Sequence, residues 1–273
     1  MGDEKLRILV IGAHPDDCEV KCGGAAALWA GRGHTVRFVS ATNGQTGHYA
    51  IGGVELTRRR IAEAKAAADV IGIESQVLPI PNGQIEPVLP YRWMIIRLIR
   101  EFAPDLVLTH RPNDYHPDHR YTSQLVQDSA YIVTVPNTVP ETPALRYNPV
   151  MAYLSDTFRK PYPFQADVVI AIDEAIEKKI DMLHCHASQV YEWLPWHEGR
   201  LEQVPSGEAA RRKWLFDRSA PRSAAVAEQF RDRLIARYGE QKGRAVKYAE
   251  AFEACEYGAK LDESQIERFF GGM

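Results

Sequence analysis

The chain is poor in the features that would place it outside an ordinary reducing, aqueous compartment. Its 273 residues include only four cysteines, Cys18, Cys22, Cys185 and Cys255, with no C-x-x-C pair among them. That excludes a disulfide framework and a cysteine-only zinc knuckle. No apolar run is long enough to span a bilayer, and the opening MGDEKLR has no basic segment leading into a signal-peptide core. Charge of either sign is not in excess: the formal net charge is −3, with a pI near 6.3. Nothing electrostatic calls for nucleic acid or a membrane surface. Internal repeats are missing, and so is the G-x-G-x-x-G loop that lets a backbone approach a pyrophosphate. The expectation is a cytoplasmic α/β protein with a small-molecule partner.

The chain is organised around LRILVIGAHPDD, Leu6 to Asp17. Leu6, Ile8, Leu9, Val10 and Ile11 form a short apolar run that predicts the central strand of a parallel sheet. Gly12 and Ala13 let the chain leave the sheet tightly, and His14, Asp16 and Asp17 follow at the carboxyl end, where open α/β sheets bind ligands. Pro15 restricts its own φ and the conformation of His14. Further strands are expected at 35–42, 76–80, 105–110, 150–156 and 166–172. Helices are expected at 23–33, 54–71, 91–102, about 120–133 and 174–187, the last capped by Asp173. In the second of these, Leu56, Ile61, Ala64 and Ala68 predict the buried face. Residues 43–53 form a long polar, glycine-rich loop, read as a site wall in which His48 is a loop residue rather than a ligand. Cys18 adjoins the site, where a buried, inert thiol is expected.

A second cluster, HRPNDYHPDHR from His110 to Arg120, ends the strand at 105–110. A lone Asp after a strand is often a helix cap, and a lone His is more often a hydrogen-bonded residue than a ligand. The joint recurrence of His14, Asp16 and Asp17 with His116 and His119 at two strand ends is what points to a metal. Two imidazoles and a carboxylate suit catalytic zinc, with iron(II), cobalt or manganese as alternatives. After Tyr191 the composition turns to Trp, Pro, Gly and charge. Helical patterns near 208–218, 224–238 and 262–270 predict a C-terminal helical extension, 191–273, packed on a 1–190 core. Its Arg and Trp residues suit substrate binding, homo-oligomer contacts or merely a solvated amphipathic surface.

AHPDD at 13–17 and HPDH at 116–119 resemble the two signature motifs of the PIG-L/LmbE-like zinc deacetylases. RRRIAEAKAAADVIGI at 58–73 is similar to that family's R-x-x-E helix, and HASQ at 186–189 is a further match. The resemblance implies a Rossmann-like fold, one divalent metal, and removal of acetyl groups from N-acetylglucosamine-type sugars or their conjugates. It implies His14, Asp17 and His119 as metal ligands, Asp16 as general base and His116 as oxyanion stabiliser in its protonated form. Asp118 would orient His116, and Arg60, Asn82 and His186 would face the substrate. Where relatives often carry Asp-Gly after the third strand, this chain has Asn82-Gly83, which keeps an acceptor and adds a donor. The competing readings are a Rossmann-like metal- or nucleotide-binding protein without hydrolytic activity, and a metal binder that has lost catalysis.

Overall fold

The computed structural model describes residues 5–273. In chain order they form β1 (Arg7–Gly12), α1 (Asp17–Gly31), β2 (Thr35–Thr42), α2 (Gly53–Ile71), β3 (Glu74–Ile80), α3 (Leu89–Phe102), β4 (Leu106–Thr109) and α4 (Pro117–Ser129). Then come β5 (Val150–Leu154), β6 (Val168–Ala171), α5 (Ile176–Cys185), a π-helical turn (Ser188–Trp193) and α6 (Leu194–His197). The chain closes with α7 (Glu208–Gln229), α8 (Arg231–Tyr238), α9 (Glu240–Ala245), β7 (Ala249–Cys255) and α10 (Glu263–Phe270).

The strands make one seven-stranded sheet in the order β3-β2-β1-β4-β5-β7-β6. Pairings from β3 through β5 are parallel, while β7 runs antiparallel to both β5 and β6. The apolar run of β1 is buried on both faces, as a central parallel strand requires. One core cluster combines Ile8 and Val10 with Trp29 of α1, and the other combines Leu9 and Ile11 with Ile95 and Ile99 of α3. From β1 the chain winds outward to β3, then returns to place β4 on the other side of β1. That reversal opens a crevice above the carboxyl ends of β1 and β4, the strands that lead into the two histidine–aspartate motifs.

Several expectations change in detail. The first helix begins at Asp17, not at residue 23, and is kinked at Cys22 (φ −143°, ψ 23°). Ile61 is 45% exposed, and α2 instead buries Arg60 and Glu63 beside Leu56, Ala64 and Ala68. Asp173 does not cap α5; its carboxylate accepts the Lys247 and Tyr248 N–H groups. The segment after residue 190 is not purely helical, because β7 lies inside the sheet between β5 and β6. Its sequence AEAFEAC carries few β-branched residues, so packing between two strands overrides a weak local preference. Among the described residues, no helix is long and apolar enough to cross a membrane.

Candidate metal centre

Asp17 is the first residue of α1, and His14 lies three residues before it in the turn out of β1. The Asp17 carboxylate accepts the His14 N–H at 2.7 Å, which folds this turn onto itself. Pro117 opens α4, a position where its missing N–H costs no helical bond, and His119 follows in the first turn. His14 Nδ1, Asp17 Oδ2 and His119 Nε2 then form a triangle with sides of 3.3, 3.4 and 3.4 Å. Metal–ligand bonds of about 2.0–2.2 Å in a tetrahedral site put ligand atoms about 3.3–3.6 Å apart. These donors therefore fit a cation without rearrangement.

The partners of the ring nitrogens turned away from the triangle support the same set. His14 Nε2 donates to Asp118 Oδ2 at 3.1 Å, leaving the Nδ1 lone pair free. His119 Nδ1 lies 3.0 Å from Asp114 Oδ1, off the N–H line, which favours the tautomer with Nε2 free. Two overlapping groups of potential ligands contain His116 or His110 in place of one triangle member. In His110 the nitrogen that faces Asp17 Oδ2, Nε2 at 3.3 Å, is already engaged, accepting the Ala13 N–H at 2.9 Å. In His116 it is Nδ1 that is engaged, accepting the Asp118 N–H at 3.1 Å, which leaves Nε2 unengaged by that bond.

The electrostatics are those of a site that wants a cation. Burial works against protonation of His14, but the Asp118 and Asp17 carboxylates outweigh it and raise its pKa to about 9. Burial also opposes ionisation of Asp17, yet the His119 and His110 rings hold it well below the usual carboxylate range. For Asp114 burial is likewise overcome, chiefly by His119, and its pKa falls to about 2. His110 is driven down to about 4 by burial and by His119, so it is neutral. Asp16 is pushed upward by burial, with the Arg60 guanidinium opposing.

Three expected roles need correction. The Asp118 carboxylate does not orient His116; it is shared between His14 Nε2 and the Gly83 N–H at 2.6 Å. His116 accepts the Asp118 N–H at Nδ1, as a neutral ring does, and burial and the neighbouring His14 and His119 rings lower its pKa. Its Nδ1 is an acceptor, so its proton sits on Nε2, and the neutral ring is still a donor. Arg60, Asn82 and His186 do not present themselves to an open face. Arg60 is 2% exposed and donates to the Pro15 carbonyl, with Asp16 Oδ2 3.3 Å away. Gly44, at φ +70°, lets the loop lie on that guanidinium stem; a Cβ there would meet Arg60 at 3.3 Å. Asn82 accepts the Thr46 N–H at 2.8 Å, pinning the loop 43–53. His186 is fully buried, its Nε2 3.2 Å from Glu19 Oε1.

These residues and the R-x-x-E and HASQ motifs form the brace behind Asp16. Glu63 accepts both the N–H and the hydroxyl of Ser188, and Gln189 Nε2 donates to the Gly47 carbonyl. His48 is a loop residue, accepting the Ala50 and Ile51 N–H groups and meeting Glu192 at 2.9 Å. Cys18 is buried, with its thiol pKa pushed well up by burial. Sequence reasoning missed Asp114 and His110. Asp114 had a local signal: it lies two residues before His116, whose N–H it accepts at 3.0 Å, an Asx-type turn.

Comparison with known proteins bears on the same stretch. Residues 9–130 match the family model described as PIG-L: GlcNAc-PI de-N-acetylase. The diacetylchitobiose deacetylase of Thermococcus kodakarensis is 27% identical over 201 residues, 70% of this chain and 73% of that protein. The 4-oxalmesaconate hydratase of Pseudomonas putida is 25% identical over 201 residues, 71% of this chain and 78% of that protein. The solved N,N'-diacetylchitobiose deacetylase from Pyrococcus horikoshii superposes with a TM-score of 0.69, at 21% identity, over 92% of this chain and 84% of that one. At that identity the superposition establishes the α/β fold.

Proposed function

We propose that this chain, whose residues 9–130 match the PIG-L family model, is a metal-dependent hydrolase of the PIG-L/LmbE type that removes the acetyl group from an N-acetylated sugar or sugar conjugate. The observation that carries the reading is the ligand triangle of His14, Asp17 and His119, with a carboxylate beside the outer nitrogen of each histidine. Zinc is the metal that the donor set suits best, and iron(II), cobalt and manganese are chemically compatible. When bound, the metal supplies an acidified water and polarises a carbonyl oxygen.

The chain's own groups do the rest. Asp16 sits between two of the ligands, and Arg60 fixes the turn that carries it. Its carboxylate takes the proton of the attacking water and passes it to the leaving amine. The His116 Nε2–H faces the oxygen that becomes negative as water attacks the amide carbon. The backbone N–H of Asp118 keeps that proton on Nε2. Asp118 and Asp114 hold the ligand rings in orientation and tautomer. Asp16 and Asp17 stand where a pyrophosphate would need to approach α1, which argues against a nucleotide-binding module.

Acetate release from a panel of N-acetyl sugars by the zinc-loaded protein tests the reading. Asp16→Asn should lower kcat by about 10²–10⁴ with metal retained. His116→Ala should lower it by about 10²–10³. Loss of metal in Asp16→Asn would exchange the roles of Asp16 and Asp17. If no panel member releases acetate, water addition to a carbon–carbon double bond, as the name of the Pseudomonas relative describes, becomes the better reading.

A further inference from the structure

Lys21 follows Asp17 by four residues, in the part of α1 that precedes the kink at Cys22, so the two side chains leave the same face of the helix. Lys21 is half-buried, and its ammonium donates to the Ser155 carbonyl at 2.7 Å, just past the end of β5. It lines the same cavity as Asp114 and Asp156. Asp114 in turn stands 3.0 Å from His119, on the side of that ring turned away from the ligand triangle. A cation therefore lies about one helical turn from one proposed ligand and beside the carboxylate that orients another.

The other cations near the centre are taken up by other acids. Arg60 has Asp16 at 3.3 Å, and Arg111 is divided between Asp156 at 2.8 Å and Glu253 at 3.2 Å. Asp17, Asp114 and Asp118, which form or orient the triangle, make ion pairs only with histidines among the described residues. Burial pushes the Lys21 ammonium below its ordinary pKa; Asp114, Asp17 and Asp156 oppose that fall, and Lys179 adds to it. Lys21 is thus the cation whose charge these acids share. Three carboxylates and a divalent ion leave one negative charge, and Lys21 is placed to offset it. The same ammonium repels the ion.

We propose that Lys21 sets the metal affinity of the centre: its positive charge weakens binding of the divalent ion and leaves the loaded site close to neutral. Lys21 does this through its charge, without being a ligand. By cancelling part of the surrounding negative charge it also leaves the site a stronger electrophile towards a carbonyl oxygen. The proposal rests on the metal-centre part of the reading above and is independent of which bond is hydrolysed.

Zinc affinity of the full chain, measured by competition with a chromophoric chelator, tests this apart from any reaction. Lys21→Met keeps the stem and removes the charge, and should bind zinc about tenfold more tightly than the wild type. Lys21→Gln should move affinity in the same direction; it keeps a donor for the chain after β5 and serves where the Met variant does not fold. Lys21→Arg keeps the charge and should stay within about threefold of the wild type. Lys65→Met, on the outer face of α2 where Lys65 pairs with Asp69, should change nothing. A role confined to anchoring Ser155 predicts the opposite sign, because loosening the wall behind Asp114 weakens the orientation of His119 and with it the binding of metal. The visible spectrum of the cobalt(II)-loaded protein should be the same in the wild type and Lys21→Met, since the ligand set is untouched. Unchanged or weaker zinc binding in both Lys21→Met and Lys21→Gln, or an altered cobalt spectrum, would overturn the role of Lys21 and leave the ligand triangle standing. A wild-type chain that binds no zinc would overturn the triangle and the role of Lys21 together.

Discussion

Asp118 and Asp114 decide, at the scale of single residues, which nitrogen of His14 and of His119 faces the centre. A carboxylate on the outer nitrogen fixes the tautomer and raises ligand basicity, and loss of such a partner typically costs about 10–100-fold in metal affinity. Asp118→Asn should therefore weaken zinc binding by about that factor, measured by competition with a chromophoric chelator. Unchanged affinity with only kcat reduced would return Asp118 to the service of His116. The residues proposed as ligands could be nominated from the sequence because each motif is contiguous and follows a strand, so residue type and chain position jointly single them out. Arg60, Asn82 and His186 were not legible in the same way. Whether such side chains face a substrate or brace a loop depends on what packs over them, and Pro15, Thr46 and Glu19 come from distant parts of the chain.

At the scale of elements, the kink in α1 and the strand β7 explain one another. The break at Cys22 frees N–H groups in mid-helix, and Glu250 of β7 accepts two of them, Gly24 at 3.0 Å and Ala25 at 2.8 Å. Its carboxylate thus acts as a cap for the second half of the helix, while Lys179 of α5 supplies the compensating charge at 2.7 Å. Gly24 is required at this crossing, since a Cβ would meet the Ile172 side chain at 2.8 Å. Glu250 is 3% and Lys179 6% exposed, so removing the acid strands a buried cation and two N–H groups. Glu250→Ala should cost about 3–5 kcal/mol in denaturant unfolding. Lys179→Met in the same background should recover part of the loss, because it removes the stranded charge. A cost no larger than that of a surface substitution, about 0.5 kcal/mol, would show that water satisfies these groups. None of this was visible in sequence. An alternating run of Ala and Glu reads as helix or loop, and only its place between β5 and β6 makes it a strand.

For the whole molecule, the question is whether residues 1–190 form a core that the rest merely decorates. The strand pairing says otherwise. Among the described residues β6 pairs only with β7, and β5 pairs with β4 on one edge and β7 on the other. A chain ending at residue 190 would leave β6 without a partner and open one edge of β5, whose residues are all buried in the full chain. The first core cluster would be cut as well. Trp29 packs against Phe252 and Phe270, with ring centroids 6.4 and 5.6 Å away, and its indole N–H donates to the Phe269 carbonyl at 2.7 Å. Losing these contacts exposes a fully buried tryptophan and leaves its donor without its acceptor, in addition to removing the Glu250 cap from α1. The shortened chain should therefore be insoluble, or soluble without a sharp thermal transition in circular dichroism, even though every residue of the ligand triangle is present. Zinc should not rescue it, because the three proposed ligands lie at the strand-to-helix junctions that the sheet positions. A monomeric 1–190 fragment that melts cooperatively and binds one zinc with the affinity of the full chain would mean that the antiparallel strand is an addition to an already self-sufficient core.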